Sequence, residues 1–186
     1  MRAQGPITAA AALLAAAAVT TGCGGDDSTT ATQPGRPAKP PPGFRTVANE
    51  AGGFTVAVPR SWRTRRIDRS TRVRSPGRLA AITITPDRTA AGRNTPPSQY
   101  ARQTLEALPE LEGSVDPEGR QVRGTPYSSA LVRARGTIAS SPRQQEIAVA
   151  ALHIPDRVTF AATIFGVGRP RTVERILASI RAGGAR

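Results

Sequence analysis

Gly53-Phe54-Thr55-Val56-Ala57-Val58-Pro59-Arg60-Ser61-Trp62 is the stretch on which the reading of the fold turns. Phe54, Val56 and Val58 alternate with Thr55 and Ala57, which is the period of a half-buried strand. Pro59 ends the strand, and Trp62 follows as a plug for the core. On either side, Arg45 to Ala48 and Thr64 to Asp68 are further strand candidates. Leu79 to Thr85 (LAAITIT) is another, closed by Pro86-Asp87.

Downstream, Thr95-Pro96-Pro97-Ser98 opens a helix through Leu108, with Ala101, Leu105 and Leu108 on one face and a proline where a helix start tolerates it. Pro109 ends it. Ser128 to Ala139, Gln144 to His153 and Val158 to Phe165 then read as an antiparallel meander, separated by Ser140-Ser141-Pro142-Arg143 and Pro155-Asp156-Arg157. On the last strand Phe160, Ala162 and Ile164 face one way, and Thr159 and Thr163 the other. Val173, Ile176, Leu177 and Ile180 recur at helical spacing, giving a closing amphipathic helix. Strands with one helix midway and another at the end predict an α+β fold, an antiparallel sheet with both helices packed on it.

The start of the chain predicts where it works. Arg2, the apolar run Ile7 to Val19 and the small residues Thr20-Thr21-Gly22 before Cys23 form the three parts of an export signal. The run is shorter than the ~20 residues a membrane-spanning helix needs. One cysteine in an exported chain cannot close an internal disulfide. Residues 1–22 are therefore assigned to a signal peptide and residues 23–43 to Cys23 with a linker, Cys23 being either modified at its thiol or left as a stray thiol after cleavage elsewhere. The linker, GGDDSTTATQPGRPAKPPPG from Gly24 to Gly43, would span roughly 25 Å as a flexible coil and roughly 60 Å as polyproline II. Both exceed the ~8 Å Debye length at physiological salt. Residues 44–186 are long enough for a single α+β domain.

Small residues and Cys23 after the apolar run resemble the lipobox of bacterial lipoproteins. The Gly53 to Trp62 motif, Ala80-Ala81-Ile82-Thr83-Ile84, the midway helix, the meander and the C-terminal helix together resemble the PsbP-like fold, on the plan of actinobacterial LpqN-type lipoproteins. The resemblance implies a diacylglyceryl anchor, with palmitate as its acyl chain, on Cys23 and attachment to the outer side of the cell membrane. It also implies a non-catalytic binding or accessory module. It supplies no catalytic residues and no cofactor.

Outside the signal the chain carries 25 basic against 13 acidic residues, and all but Lys39 of the basic ones are Arg. Much of that bias follows GC-rich codon usage, shared with abundant Ala, Gly and Pro. A local excess stands above it: Arg60, Arg63, Arg65, Arg66, Arg69, Arg72, Arg74 and Arg78 fall within nineteen residues against Asp68 alone. Export and the scarcity of stacking aromatics argue against nucleic acid. Arg suits bidentate phosphate recognition, and the expected partners are anionic lipid, wall polymer or an acidic envelope protein. The competing expectation is a soluble basic loop pairing loosely with the acidic cluster Glu110, Glu112, Asp116 and Glu118, itself expected to be a solvated loop.

Other chemistry is thin. His153 is the single histidine and reads as a partly exposed strand residue, with no metal-ligand set at suitable spacing. No Gly-x-Ser-x-Gly elbow accompanies it, although an envelope hydrolase using His153 is an alternative. Gly166-x-Gly168 lacks the rest of a dinucleotide fingerprint and reads as a strand exit. A lipid or glycolipid carrier, with its ligand between sheet and helices, is the other alternative.

Overall fold

The computed structural model describes residues 39–108, 111–116, 118–138, 141–166 and 170–183. The signal peptide, Cys23 and the linker up to residue 38 lie outside the described residues, as do Glu110, Ser140 and Gly168. The elements, in chain order, are β1 (Phe44–Asn49), β2 (Phe54–Pro59), β3 (Arg63–Ile67), β4 (Ser70–Arg74) and β5 (Ala81–Asp87). Helices α1 (Ala90–Asn94) and α2 (Pro97–Glu106) follow. After them come β6 (Glu112–Val115), β7 (Ser128–Ile138), β8 (Ser141–Ile154), β9 (Val158–Phe165), α3 (Pro170–Ala178) and β10 (Arg181–Ala182).

Among the described residues two antiparallel sheets form. The larger has seven strands in the order β3-β4-β5-β9-β8-β7-β6, and the smaller has three in the order β1-β2-β10. Alternation then decides what each face of the large sheet holds. Val132, Ala134, Ile147, Val149 and Ala151 face Ala101 and Leu105 of α2, where helix and sheet exclude water from both sides. The in-between residues, among them Ala148, Ala150, Leu152, Phe160, Ala162, Ile164, Ile82 and Ile84, face the other way. They pack against β2 and against Val173, Ile176, Leu177 and Ile180. The two long helices thus cover opposite faces of one sheet, and the small sheet joins α3 on the second face.

Trp62 is 3% exposed and belongs to that second core, as a plug should. An edge-to-face contact between Phe54 of β2 and Phe160 of β9, ring centroids 5.5 Å apart, links the two sheets directly. The α+β class, the midway helix, the meander and the closing helix are those expected. The small second sheet, α1, β4, β6 and β10 are additions.

Candidate functional site

The eight arginines lie on and around a β-hairpin rather than in a loop. β3 and β4 pair over their whole length, Arg63 with Arg74, Arg65 with Arg72 and Ile67 with Ser70, joined by the two-residue turn Asp68-Arg69. Asp68 takes φ 49°, the positive value that tight hairpin turns demand and that Asp tolerates better than most residues. β4 continues the sheet into β5, placing Arg72 beside Thr83 and Arg74 beside Ala81.

Directly paired residues share a face, so the register sorts the cluster. Arg63, Arg65, Arg72 and Arg74 stand on the face that carries α2, but beyond the reach of that helix. Their neighbours on this bare area are Ser70, Thr83, Thr85 and Thr163, and Ser70 Oγ and Thr85 Oγ1 are 2.9 Å apart. The uncovered part of the face is therefore polar and cationic, whereas the part beneath α2 is apolar. Arg66 points to the opposite face. Arg60 and Arg69 sit in the flanking turns, and Arg78 ends a short 3-10 turn, Pro76–Arg78. Seven of the eight are exposed and Arg72 is half-buried.

Arg72 is the constrained member. Its Nε is buried with no hydrogen-bond partner. Burial, then the neighbouring charges of Arg74 and Arg65, lower its pKa from the ordinary guanidinium value. Two like-charged pairs face each other directly, an arrangement that costs stability unless an anion lies between the side chains.

The hairpin is held by residues that composition does not flag. Asn49, 1% exposed, donates from Nδ2 to Arg69 O (3.1 Å), Ser70 O (3.0 Å) and Thr71 Oγ1 (3.0 Å). Its Oδ1 accepts from Gly52 N at 2.8 Å. Arg45 donates to Trp62 O (3.3 Å) and Thr64 Oγ1 (3.0 Å), fixing the other end. No sequence pattern marks Asn49. Its role exists only because β1 ends beneath the hairpin turn.

The described members of the acidic cluster, Glu112, Asp116 and Glu118, are not the partners of these arginines. Glu112 lies in β6, the outermost strand at the far end of the seven-stranded sheet, and Glu112, Asp116 and Glu118 are exposed there. Six strand spacings separate β3 from β6, roughly 29 Å at ~4.8 Å each. Loose pairing of a basic loop with this cluster is thereby corrected in two respects: the segment is a hairpin, and charge is segregated to opposite edges of the sheet. The salt bridges among the described residues, Arg120–Glu174 and Arg133–Glu146, involve none of the eight arginines.

His153 is half-buried, and its Nδ1 lies 2.8 Å from Thr159 Oγ1. The Thr159 hydroxyl donates in turn to Gly92 O. A hydroxyl has one proton, so Nδ1 is the donor to Thr159 and cannot serve it as a base. The contact ties α1 to β8 and β9. Nearby, Tyr100 Oη donates to Asp87 Oδ2 at 2.7 Å, and Thr89 N to Asp87 Oδ1 at 2.8 Å. Burial first and then the Asp87 carboxylate push the Tyr100 pKa up. For Asp87, burial alone would raise the pKa, but hydrogen bonds from Tyr100 and Thr89 outweigh it and hold the carboxyl below its ordinary value. Among the described residues no group of three His, Cys, Asp or Glu could hold a metal ion, and no helix is long and apolar enough to cross a membrane.

Where a carrier would need a cavity, between α3 and the large sheet, Ile176, Leu177 and Ile180 belong to one buried cluster with Phe160, Ala162 and Ile164, all at most 1% exposed. An open groove of about 290 Å³ lies elsewhere, among Pro40, Pro41, β1, β2 and the end of α3.

No protein-family model matches the chain, and no curated protein matches it. Nothing at the sequence level thus ties it to LpqN-type lipoproteins. Solved structures do resemble it. A protein from Bacteroides thetaiotaomicron VPI-5482, known from its crystal structure, superposes with a TM-score of 0.55 at 12% identity over 75% of this chain and 48% of that one. This chain therefore spans about half the length of the Bacteroides protein. Cyanobacterial PsbP (CyanoP) from Synechocystis sp. PCC 6803 superposes with a TM-score of 0.48 at 9% identity, over 75% of this chain and 92% of that one. The Bacteroides likeness speaks to the α+β fold, which this chain shares with that solved protein.

Proposed function

We propose that this chain is a non-catalytic binding module, anchored outside the cell membrane through a lipidated Cys23, that captures an anionic partner on the β3–β4 hairpin. The observation that carries the reading is the group of Arg63, Arg65, Arg72 and Arg74 on one bare sheet face, in two like-charged pairs with no ion-pair partner among the described residues. An anion between the guanidinium groups would accept charge-assisted hydrogen bonds and relieve the repulsion at once. The linker gives the domain its reach from the bilayer, and charge alone acts only over about a Debye length.

The test is capture of anionic vesicles and of soluble polyglutamate by the chain lacking residues 1–23, at low and at high salt. The reading expects capture of at least one of them, none of neutral vesicles, and release by salt. Failure to capture either polyanion would overturn it.

A further inference from the structure

From the edge position of β3 we infer that the partner is a protein whose extended acidic segment adds to the large sheet as an eighth strand, alongside Arg63 to Ile67. The inference rests on the anion-binding reading and names the kind of anion.

Three observations favour a strand over a bilayer. First, β3 is an outermost strand that pairs, among the described residues, only with β4. Its register with β4 is unbroken and it contains no proline, so one side of its backbone offers regular N–H and C=O groups for pairing. Second, β3 is cationic on both faces, with Arg63 and Arg65 on one and Arg66 on the other. A flat surface can meet only one of these, whereas a strand laid alongside sends its side chains to both faces in turn. Third, Ile67, at the end of the same strand, is 41% exposed. Of the large hydrophobic residues among the described ones, only Ile67 and Leu79 are this exposed, and Leu79 follows the Arg78 turn.

The spacing fixes the recognised pattern. Antiparallel pairing matches the rest of the sheet. Read from its N-terminus, the incoming strand then presents an apolar residue opposite Ile67, acids opposite Arg66 and Arg65, any residue opposite Thr64, and an acid opposite Arg63. Alternate acids on one face repeat at the same ~6.7 Å as Arg63 and Arg65, because both strands share one rise per residue. The acidic edge of a second copy is a poorer fit: β6 reads Glu-Gly-Ser-Val and brings one carboxylate within its strand.

The experiment uses the full chain in detergent and a fluorescent peptide with the core Val-Glu-Glu-Thr-Glu, measured by anisotropy. Two isomers carry N-methyl groups on alternate amides, one set on the edge that would face β3 and one on the outer edge. We expect the parent and the outer-edge isomer to bind alike. The inner-edge isomer should lose at least about tenfold in affinity, the weight of two or more backbone hydrogen bonds. The Arg63→Glu/Arg65→Glu variant should lose the parent peptide. Equal binding by both isomers would overturn strand addition and leave plain charge capture standing. Capture of polyglutamate or anionic vesicles without the peptide would do the same, as would concentration-dependent self-association that the peptide does not disrupt. No binding to any of these probes would overturn both readings.

Discussion

Arg65 and Arg72 stand directly opposite each other on β3 and β4, and Arg72 buries its Nε there without a hydrogen-bond partner. The pair is a local cost to the fold placed where an anion would remove it. Replacing one member by an acid should therefore help the fold and harm the function. For Arg65→Glu we expect a gain of about 0.5–1 kcal/mol, the size of an opposite-charge pair replacing a like-charge one, or a rise of about 2–4 °C in Tm. Capture of polyanions should fall at the same time. Thermal melts and a pull-down on one preparation check both, and a lower Tm would contradict the electrostatic account.

Asn49 separates scaffold from charge. It holds the hairpin turn through Arg69 O, Ser70 O and Thr71 Oγ1, yet carries no charge itself. Asn49→Ala removes the donor to two part-buried carbonyls and to the buried Thr71 hydroxyl, and should cost about 1–3 kcal/mol. Hydrogen exchange should quicken in β3 and β4 before it does in β8 and β9.

The rings of Phe54 and Phe160 join the small sheet to the large one. Phe160 is fully buried, so Phe160→Ala removes the contact and leaves a cavity. The expected loss is about 3–5 kcal/mol, read from denaturant midpoints. Loss of less than about 1 kcal/mol would mean that the two sheets are not packed as described.

Asp87 links the end of β5 to α2 through Tyr100, and its pKa is held below its unfolded value of ~3.9. Its contribution to stability is therefore complete above that unfolded value and is lost as pH falls through the folded one. Asp87→Asn should lower Tm at pH 6, and the difference from the parent should shrink towards pH 2. Gly92 bears on the same group, since a Cβ there would run into the Asp87 carboxylate, and Gly92→Ala should also destabilise.

These sites differ in how visible they are in the sequence. β2 and β9 could be read residue by residue because apolar side chains alternate on them, and α3 because Val173, Ile176, Leu177 and Ile180 keep helical spacing. β4 could not. Ser-Thr-Arg-Val-Arg has one apolar residue, and its inward-facing neighbour Thr71 is buried through a hydrogen bond from Asn49, far away in sequence. β6 and β10 are short strands whose pairing partners define them, and the small sheet closes only when the chain returns to β2 after α3. For the site, the excess of arginine was legible from spacing alone. Its division between faces was not, since that depends on the register of β3 with β4. The opposition of basic and acidic edges was likewise invisible until the strand order placed β3 and β6 at the two ends.

A basic chain can capture polyanions by net charge alone, so the most direct measurement compares two variants of equal charge. Arg63→Glu/Arg65→Glu alters the hairpin, and Arg171→Glu/Arg175→Glu alters exposed positions on α3. Binding to polyglutamate is measured for both against the parent at fixed low salt. The account predicts that the hairpin variant loses capture while the α3 variant keeps most of it. Equal losses in the two would show that capture follows overall charge, and would contradict a site on the hairpin.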